Sequence, residues 1–282
     1  MAGKLFVVST PIGNLGDLSP RALRTLEQVD FIAAEDTRVG VKLLNHFGIK
    51  KPQVSYYEHN RRQKGEMLAR RIAAGESCAL ITDAGTPAIS DPGSDLVDIC
   101  AREGIEVVSV PGCCAAVAAL SISGMDCGRF TFEGFLSVNK KSRREHLGEL
   151  VREKRTMVFY EAPHKLLRTL EDLLDALGDR PIALCREITK LHEQVVRTTL
   201  ADAVSLYRET PPKGEFVLIV AGAAEASAED SIPSDDELLT RVGDVLTEQG
   251  CGLMAAVRQV AAQYGLPKNA LYQKALRVYG RD

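Results

Sequence analysis

The stretch Asp83-Ala-Gly-Thr-Pro-Ala-Ile-Ser-Asp-Pro-Gly93 decides the fold, because it separates a buried strand from a helix without belonging to either. Its two prolines and two glycines exclude a regular element. The apolar run at residues 79–82 is typical of a fully buried strand, and the pattern that follows predicts a helix over about 95–103. Ser90 or Asp91 is suited to cap that helix. A strand, a rigid turn and a helix in this order form one unit of an α/β domain.

The same alternation extends through the first half of the chain. Strands are predicted over residues 5–9, 31–34, 54–57, 79–82 and 107–110. Helices are predicted over residues 20–29, 39–47, 61–74 and 95–103. Strands that alternate with helices predict a parallel sheet covered by helices, in a domain of residues 1–113.

The second half predicts another α/β domain, over residues 114–222. A helix of small residues at 114–123 connects the two domains. Strands are predicted over 130–135, 156–160, 182–186, 194–199 and 215–220, and helices over 142–153, 164–176 and 201–207. Too few residues join the last strands for parallel crossovers, so this sheet is expected to be mixed.

The end of the chain predicts a separate helical module. Residues 223–236 are small and acidic and include a proline, which is typical of a linker. Residues 237–282 are helical in pattern, and Ala261 and Gly265 stand four apart before Leu266-Pro-Lys-Asn269. This spacing suits a helix-turn-helix, and it is equally consistent with an αα-hairpin that binds nothing.

The composition is that of a globular protein, with 45% hydrophobic and 26% charged residues. The net charge of −3 gives no general attraction to nucleic acid, so any RNA contact must come from a local basic patch. Seven cysteines without a C-x-x-C pair are interpreted as reduced thiols, and no metal site is expected. No signal peptide or membrane-spanning run is recognised, which predicts a cytoplasmic protein without a membrane partner.

Four further loops follow predicted strands. They are Thr10-Pro-Ile-Gly-Asn-Leu-Gly-Asp17, Val110-Pro-Gly-Cys-Cys-Ala115, Phe159-Tyr-Glu-Ala-Pro-His164 and Cys185-Arg-Glu-Ile-Thr-Lys190. Open α/β sheets bind ligands at the carboxyl ends of their strands, so these loops and the 83–93 stretch favour a polar cleft. Tight turns, core packing and solvated strand ends remain the structural alternatives.

The order of these motifs, together with Ala34-Glu-Asp-Thr-Arg38, resembles the tetrapyrrole-methylase superfamily over about residues 4–222. Within it the chain looks closest to the members that methylate small-subunit ribosomal RNA. The resemblance implies S-adenosylmethionine bound in a cleft between two α/β domains, and a homodimer. It also implies that the cofactor is bordered by Pro11, Asp83, Ala88, Ile89, Ser90, Cys114, Ala115, Ala162 and Pro163. Where relatives commonly have V-P-G-P-S-A, this chain has V-P-G-C-C-A, so the contact at Cys114 must come from backbone or thiol.

The activity implied by the resemblance is 2′-O-methylation of a cytidine ribose in the decoding region of 16S ribosomal RNA. A ribose hydroxyl is a poor nucleophile, so a general base would help. The candidates are Glu161, His164 and Asp36, followed by Glu58, His59 and Glu187. Our hypothesis gives Glu161 the polarising role and assigns the binding of phosphate or ribose to Arg38, Asn60 and Lys190.

A local basic patch is present in the second half. It consists of Lys140, Lys141, Arg143 and Arg144, and such clusters are commonly only solvated helix faces. Beside a cleft, however, they would follow the phosphates of small-subunit RNA or of an assembled 30S subunit, and Tyr56 and Tyr57 would stack a splayed base. Two other functions stay open, a methyltransferase for a tetrapyrrole or other small molecule and a non-enzymatic RNA-binding factor.

Overall fold

The computed structural model describes residues 3–58, 60–224, 233–264 and 266–280. The chain divides into two compact units, Met1–Ala223 and Ala224–Asp282. The first unit contains two five-stranded sheets, and the second consists of helices. The predicted linker falls largely on residues 225–232, which lie outside the described residues, as do His59 and Gly265.

The first sheet is parallel throughout, as the sequence predicted. Its strands are β1 (Lys4–Val8), β2 (Phe31–Ala34), β3 (Gln53–Ser55), β4 (Cys78–Ile81) and β5 (Glu106–Val110), in the order β3-β2-β4-β1-β5. The helices between them are α1 (Pro20–Gln28), α2 (Thr37–His46), α3 (Arg61–Ala73) and α4 (Ser94–Arg102). Every residue of β2 and β4 is buried, because helices cover both faces of the sheet.

The third strand ends at Ser55, two residues earlier than predicted. Tyr56 leaves the strand and is 1% exposed in the core below the sheet. Its hydroxyl donates a hydrogen bond of 2.6 Å to Asp95 Oδ1 at the start of α4. The expectation that Tyr56 stacks a nucleotide base is therefore wrong, since its ring is a core side chain.

The second sheet is mixed, also as predicted. Its strands are β6 (Phe130–Gly134), β7 (Thr156–Glu161), β8 (Pro181–Arg186), β9 (Gln194–Thr199) and β10 (Phe216–Val220), in the order β6-β7-β10-β8-β9. Only the β6–β7 pair is parallel. One face is covered by α6 (Lys140–Leu150), α7 (Pro163–Leu177) and α8 (Leu200–Glu209).

The helix α5 (Ala115–Ser123) covers the other face of the second sheet. Its small residues Ala116 and Ala119 pack against Val158, Ala183 and Ile219. Because these side chains are short, the helix comes close to the strands and carries the residue before it, Cys114, to the strand ends of the second sheet.

The second unit has its own core. It contains α9 (Asp235–Gln249), α10 (Leu253–Gln263) and α11 (Lys268–Tyr279). Ser234 and Glu237 form a capping box at the start of α9, which satisfies the first backbone donors of that helix. Among the helices described, none is long and apolar enough to cross a membrane.

Candidate active site

The loops at the carboxyl ends of the strands enclose a cleft of about 530 Å³ in the first unit. Both sheets contribute to its walls. The lining residues are Ile12, Glu35, Thr82, Asp83, Ala84, Gly85, Thr86, Ile89, Ser90, Asp91, Cys114, Ala115, Phe135, Tyr160, Glu161, Ala162, Pro163, Cys185, Ile188, Lys190, Glu215, Phe216 and Val217. A cleft of this volume accommodates a nucleoside-sized ligand.

Three loops of the first sheet are tied together at the cleft. Thr10 and Gly85 exchange two backbone hydrogen bonds, of 2.8 and 3.1 Å, between the loops after β1 and β4. The Thr86 hydroxyl donates to the carbonyl of Cys113 at 2.9 Å and is hydrogen-bonded to the Ser9 hydroxyl at 2.9 Å. These bonds fix the backbone before any ligand arrives, which lowers the entropic cost of binding.

Strained backbone marks the centre of the 83–93 loop. Ala88 has a φ of 68° and Ser90 a φ of 67°, values that cost a non-glycine residue on the order of 1 kcal/mol or more. Gly93 has a φ of 145°, and a Cβ there would stand 2.9 Å from a methyl carbon of Leu80. The loop thus turns tightly against β4 and presents Ile89 to the cleft between its two strained neighbours.

A group of carboxylates lies at the same rim. The Thr82 hydroxyl donates to Glu35 Oε2 at 2.5 Å, and the backbone N–H of Asp36 donates to Asp83 Oδ1 at 3.1 Å. Burial, together with the negative charges of Glu35 and Asp83, raises the pKa of Asp91 to about 6. Burial raises the pKa of Asp83 as well. Among the described residues, no group of three or more His, Cys, Asp or Glu side chains is arranged to hold a metal ion. The negative charge of this rim favours a ligand that carries positive charge.

The rim of the second sheet is also charged, but its charges are paired. Lys190 Nζ lies 2.9 Å from both Glu187 Oε1 and Glu215 Oε2. The backbone N–H of Glu215 and the Lys190 ammonium hold the pKa of Glu187 below its usual value. Lys190 lines the cleft as predicted, yet its ammonium is already satisfied by two carboxylates, which argues against its holding a phosphate.

Glu161 lies in the cleft wall at the end of β7, as predicted, and is only 4% exposed. Its Oε1 accepts the N–H of Ala162 at 2.8 Å, and its Oε2 accepts the Thr169 hydroxyl at 2.5 Å. Both oxygens are therefore used in fixing the corner between β7 and α7. This geometry favours a positioning role for Glu161 over the predicted polarising role.

Arg143 does not belong to the exposed basic patch that the sequence predicted. It is 7% exposed, and it donates to the Thr169 hydroxyl at 2.8 Å and to Asp172 Oδ2 at 2.6 Å, both on α7. The reason lies in the start of α6, which begins at Lys140 because the Asn139 side chain caps it. Arg143 then falls on the inner face of the helix, while Lys140, Lys141 and Arg144 are exposed.

The other proposed catalytic and substrate-binding residues lie outside the cleft lining. Asp36 caps α2 and holds the Arg38 guanidinium at 2.6 Å, and this hydrogen bond lowers the pKa of Asp36 to about 2, too low for an effective base. The Asn60 side chain closes its own turn by accepting the N–H of Tyr57 and donating to the carbonyl of Ser55. His164 is exposed on the first turn of α7.

Of the residues expected to border the cofactor, all but two line the cleft. Pro11 and Ala88 are the exceptions, and they lie in the chain next to lining residues. The sequence analysis assigns no cleft role to Asp91, Tyr160 and Phe135, although Asp91 and Tyr160 lie in the strand-end motifs and Phe135 ends a predicted strand. Asp91 was considered only as a helix cap, but Gly93 occupies that position. Burial raises the pKa of Tyr160 to about 12, and its hydroxyl accepts the N–H of Ala116 at 3.0 Å.

A family model described as Tetrapyrrole (Corrin/Porphyrin) Methylases matches residues 4–204. The chain belongs to this family. Its membership confirms the family and the methyltransferase class that the sequence predicted, and the matched region spans both sheets and the whole cleft except the last strand.

Relatives of this tetrapyrrole methylase family member match nearly end to end. The chain is 48% identical over 277 residues to "Ribosomal RNA small subunit methyltransferase I" of Synechocystis sp., with 98% of each chain covered. It is 46% identical to the protein of that name in Pasteurella multocida, with 98% of each covered, and 43% identical to that in Escherichia coli O157:H7, with 99% and 96% covered.

Solved structures share the fold at lower identity. Uroporphyrin III C-methyltransferase from Thermus thermophilus matches with a TM-score of 0.56 and 18% identity, over 78% of this chain and 97% of that one. Diphthine synthase matches with a TM-score of 0.60 and 15% identity, over 78% and 90%. These likenesses confirm the predicted two-sheet α/β fold.

Proposed function

We propose that this protein transfers a methyl group from S-adenosylmethionine to the 2′-hydroxyl of a cytidine ribose in the decoding region of small-subunit ribosomal RNA. The observation that carries the proposal is the near full-length identity of 43–48% to proteins named for that RNA, which extends through the helical second unit. The enzyme acts in the cytoplasm, on the 16S RNA or the 30S subunit that contains it.

The cleft fits the methyl donor. Its volume of about 530 Å³ is of the size that a nucleoside with an amino-acid tail requires. Ile12, Ile188 and Val217 supply apolar wall, and the tied backbone of the 83–93 loop supplies fixed polar groups. Three carboxylates, those of Glu35, Asp83 and Asp91, favour a ligand that carries positive charge. When bound, the donor supplies an electrophilic methyl group on a sulfonium.

Asp91 is the side chain best suited to accept the proton of the hydroxyl. It lines the cleft, and its pKa of about 6 leaves it ionised at neutral pH while making it a stronger base than an ordinary aspartate. Tyr160 faces the same space from the second sheet, and its high pKa keeps it a neutral hydrogen-bond donor. Glu161 positions the Ala162–Pro163 turn through its two internal hydrogen bonds.

Lys140, Lys141 and Arg144 form the RNA-facing basic cluster. They are exposed on the first turns of α6, where the helix N-terminus also favours a phosphate. The nearest acidic side chain on the helix, Glu145, lies 3.9 Å from Lys141, a separation at which an exposed pair contributes little. Binding through this cluster should weaken steeply with salt.

The proposed enzyme is a homodimer. Exposed apolar side chains lie on α5 and on the edge strand β6, namely Val117, Phe130 and Phe132. An apolar edge of this kind is generally covered in solution. Light scattering on the purified protein tests the dimer, and a Phe130→Glu substitution should convert a dimer formed through this edge to monomer.

The deciding experiment supplies labelled S-adenosylmethionine with 30S subunits lacking their ribose methylation, with naked 16S RNA, or with a porphyrinoid. Label in RNA, mapped by mass spectrometry to one cytidine ribose, is the expected result. Label in the porphyrinoid alone would establish the small-molecule alternative. Calorimetric binding of RNA with no binding of the donor would instead indicate a non-enzymatic RNA-binding factor.

A further inference from the structure

Two large apolar side chains are exposed where the cleft opens. Ile89 is 45% exposed and Phe135 is 58% exposed, and both line the cleft, one from each sheet. Single exposed apolar side chains are ordinary on a protein surface. Two that belong to one concave site are better explained by a ligand that covers them.

The backbone brings these two side chains to the same part of the cleft. Ile89 stands between Ala88 and Ser90, which both have positive φ angles and form a tight turn at the tip of the loop. Gly134, with a φ of 62°, precedes Phe135, and a Cβ built on Gly134 would lie 3.6 Å from Ser90 Oγ. The two loops thus approach each other beside the two apolar side chains.

The Phe135 ring is held in place. It packs edge-to-face on Tyr160, with ring centroids 5.6 Å apart and planes inclined by 63°. Tyr160 is itself fixed by Phe132, at 5.1 Å and 72°, and by the hydrogen bond from the Ala116 N–H. An aromatic ring oriented in this way loses little freedom when a planar group stacks on its open face.

We propose that Ile89 and Phe135 hold the base of the target nucleotide between them, so that its ribose enters the cleft. This inference rests on the proposed function. Nucleotides that undergo chemistry are turned out of their stack, and splayed RNA bases are commonly held on aromatic rings. A pyrimidine ring needs no more than one apolar side chain on each face.

The position of Phe135 favours the RNA base over the adenine of the methyl donor. Phe135 is five residues before Lys140, the first cation of the basic cluster, and on the segment that leads directly to it. A chain of phosphates along Lys140 and Lys141 would therefore deliver its base to Phe135. The buried walls at Ile188 and Val217 are available to the donor's adenine, deeper in the cleft.

The test compares Phe135→Ala and Phe135→Trp with the wild type. Loss of a stacking ring is expected to raise the KM for small subunits about 5- to 100-fold. The calorimetric Kd for S-adenosylmethionine should stay within about twofold of the wild-type value, since only the RNA base loses a contact. Phe135→Trp should keep the wild-type KM. Val138→Ala is the matched control, because Val138 is 74% exposed on the same loop and lies outside the cleft lining.

Phe135→Trp adds a direct signal, because the chain contains no tryptophan. Stacking of a base on the introduced indole should quench its fluorescence when a target RNA fragment is added, whereas S-adenosylmethionine alone should not. Quenching by the donor, together with a weaker donor Kd and an unchanged RNA KM for Phe135→Ala, would overturn the proposal in favour of a cofactor wall.

Failure of the proposed function and failure of the base site give different results. A wild-type protein that methylates no ribosomal RNA refutes the proposed function and the base site with it. A wild-type protein that methylates RNA, with Phe135→Ala equal to Val138→Ala in KM and kcat, refutes the base site alone. Thermal unfolding of each variant checks that the fold is retained, which is expected because Phe135 is largely exposed.

Discussion

The rims of the two sheets both contain non-glycine residues with positive φ, but their carboxylates are in different electrostatic environments. Among the residues that the structure describes, four non-glycines have positive φ, and they divide evenly as Ala88 and Ser90 on the first rim and Glu187 and Thr189 on the second. On the first rim, burial raises the pKa values of Asp83 and Asp91, and the negative charge of Glu35 raises both as well. On the second rim Lys190 neutralises its carboxylates.

We interpret this difference as a division of roles, with the chemistry on the first rim and structural support on the second. Ionised carboxylates with a raised pKa lower the stability of the fold, and proteins commonly retain them at sites of binding or proton transfer. Paired carboxylates fix a loop and change little when a ligand arrives. We therefore expect the first rim to govern turnover and the second to govern stability.

The largest effect is expected from Asp91→Asn. Loss of a general base typically slows a reaction by about 10² to 10⁴-fold, so kcat should fall at least 100-fold. The donor Kd should rise far less, because Glu35 and Asp83 still favour a positively charged ligand. The matched control is Asp98→Asn, since Asp98 is an exposed residue of α4 that pairs with Arg102 and lies outside the cleft lining. A kcat of Asp91→Asn within threefold of that of the control would contradict the chemical role of the first rim.

The pH dependence of the wild type follows from the same residue. Asp91 must be ionised to accept a proton, and its pKa is raised to about 6, so kcat/KM should fall about tenfold per pH unit below that value. The high pKa also means that the folded state favours the protonated form. The stability contributed by Asp91 is therefore present at acid pH and is lost as pH rises from about 4 to about 6.

Asp91→Asn should accordingly be more stable than the wild type at pH 7.5, by about 1–2 kcal/mol after allowance for solvent screening. The gain should disappear at pH 4. Unfolding in denaturant at the two pH values measures it. A gain of equal size at both would show that packing, and not charge, is responsible.

The second rim should respond in the opposite way to Lys190→Met. Removal of the ammonium leaves Glu187 and Glu215 without their cation, and we expect a loss of about 1–3 kcal/mol in the free energy of unfolding. The kcat at saturating substrate should fall less than tenfold. Glu215→Gln is the control, because Glu215 is mostly exposed and its loss should be nearly neutral. A large loss of kcat with normal stability would assign Lys190 to substrate, as the sequence suggested.

The smallest effects should come from changes at the residues with positive φ on the two rims. Ser90→Gly and Thr189→Gly each relieve a positive φ, and each should change stability by about 1 kcal/mol or less, since the added freedom of the unfolded chain offsets part of the gain. Ser90→Gly should slow turnover several-fold, because its loop forms the cleft, whereas Thr189→Gly should not. Equal turnover of the two variants would contradict the proposed difference between the rims.

The sequence predicted most of the fold because the relevant signals are local. Alternating apolar runs and caps such as Ser19, whose hydroxyl accepts the N–H of Ala22, fix the elements to within a few residues. The misplaced ends have local causes too, such as the Asn139 cap, which starts α6 two residues before the predicted position. The motifs at the strand ends also located the cleft.

Roles within the site were less predictable, because they depend on contacts between distant segments. Glu161 and Arg143 have the right residue type and neighbourhood for function, yet Thr169, eight residues after Glu161 and 26 after Arg143, engages both. Asp91 owes its raised pKa first to burial and then to the negative charges of Glu35 and Asp83, and only the folded sheet brings Glu35 beside the 83–93 loop. Phe135 gave no signal beyond being an aromatic residue after a strand.

The buried Arg143 has a consequence for redesign. Its guanidinium joins the inner side of α6 to Thr169 and Asp172, and Thr169 in turn holds the Glu161 corner of the cleft. A graft of α6 from another methyltransferase, made to redirect the enzyme to a new RNA, must therefore bring matching partners on α7. A grafted helix without an arginine at position 143 would leave Thr169 without its donor and would loosen the Glu161 corner of the cleft through Thr169.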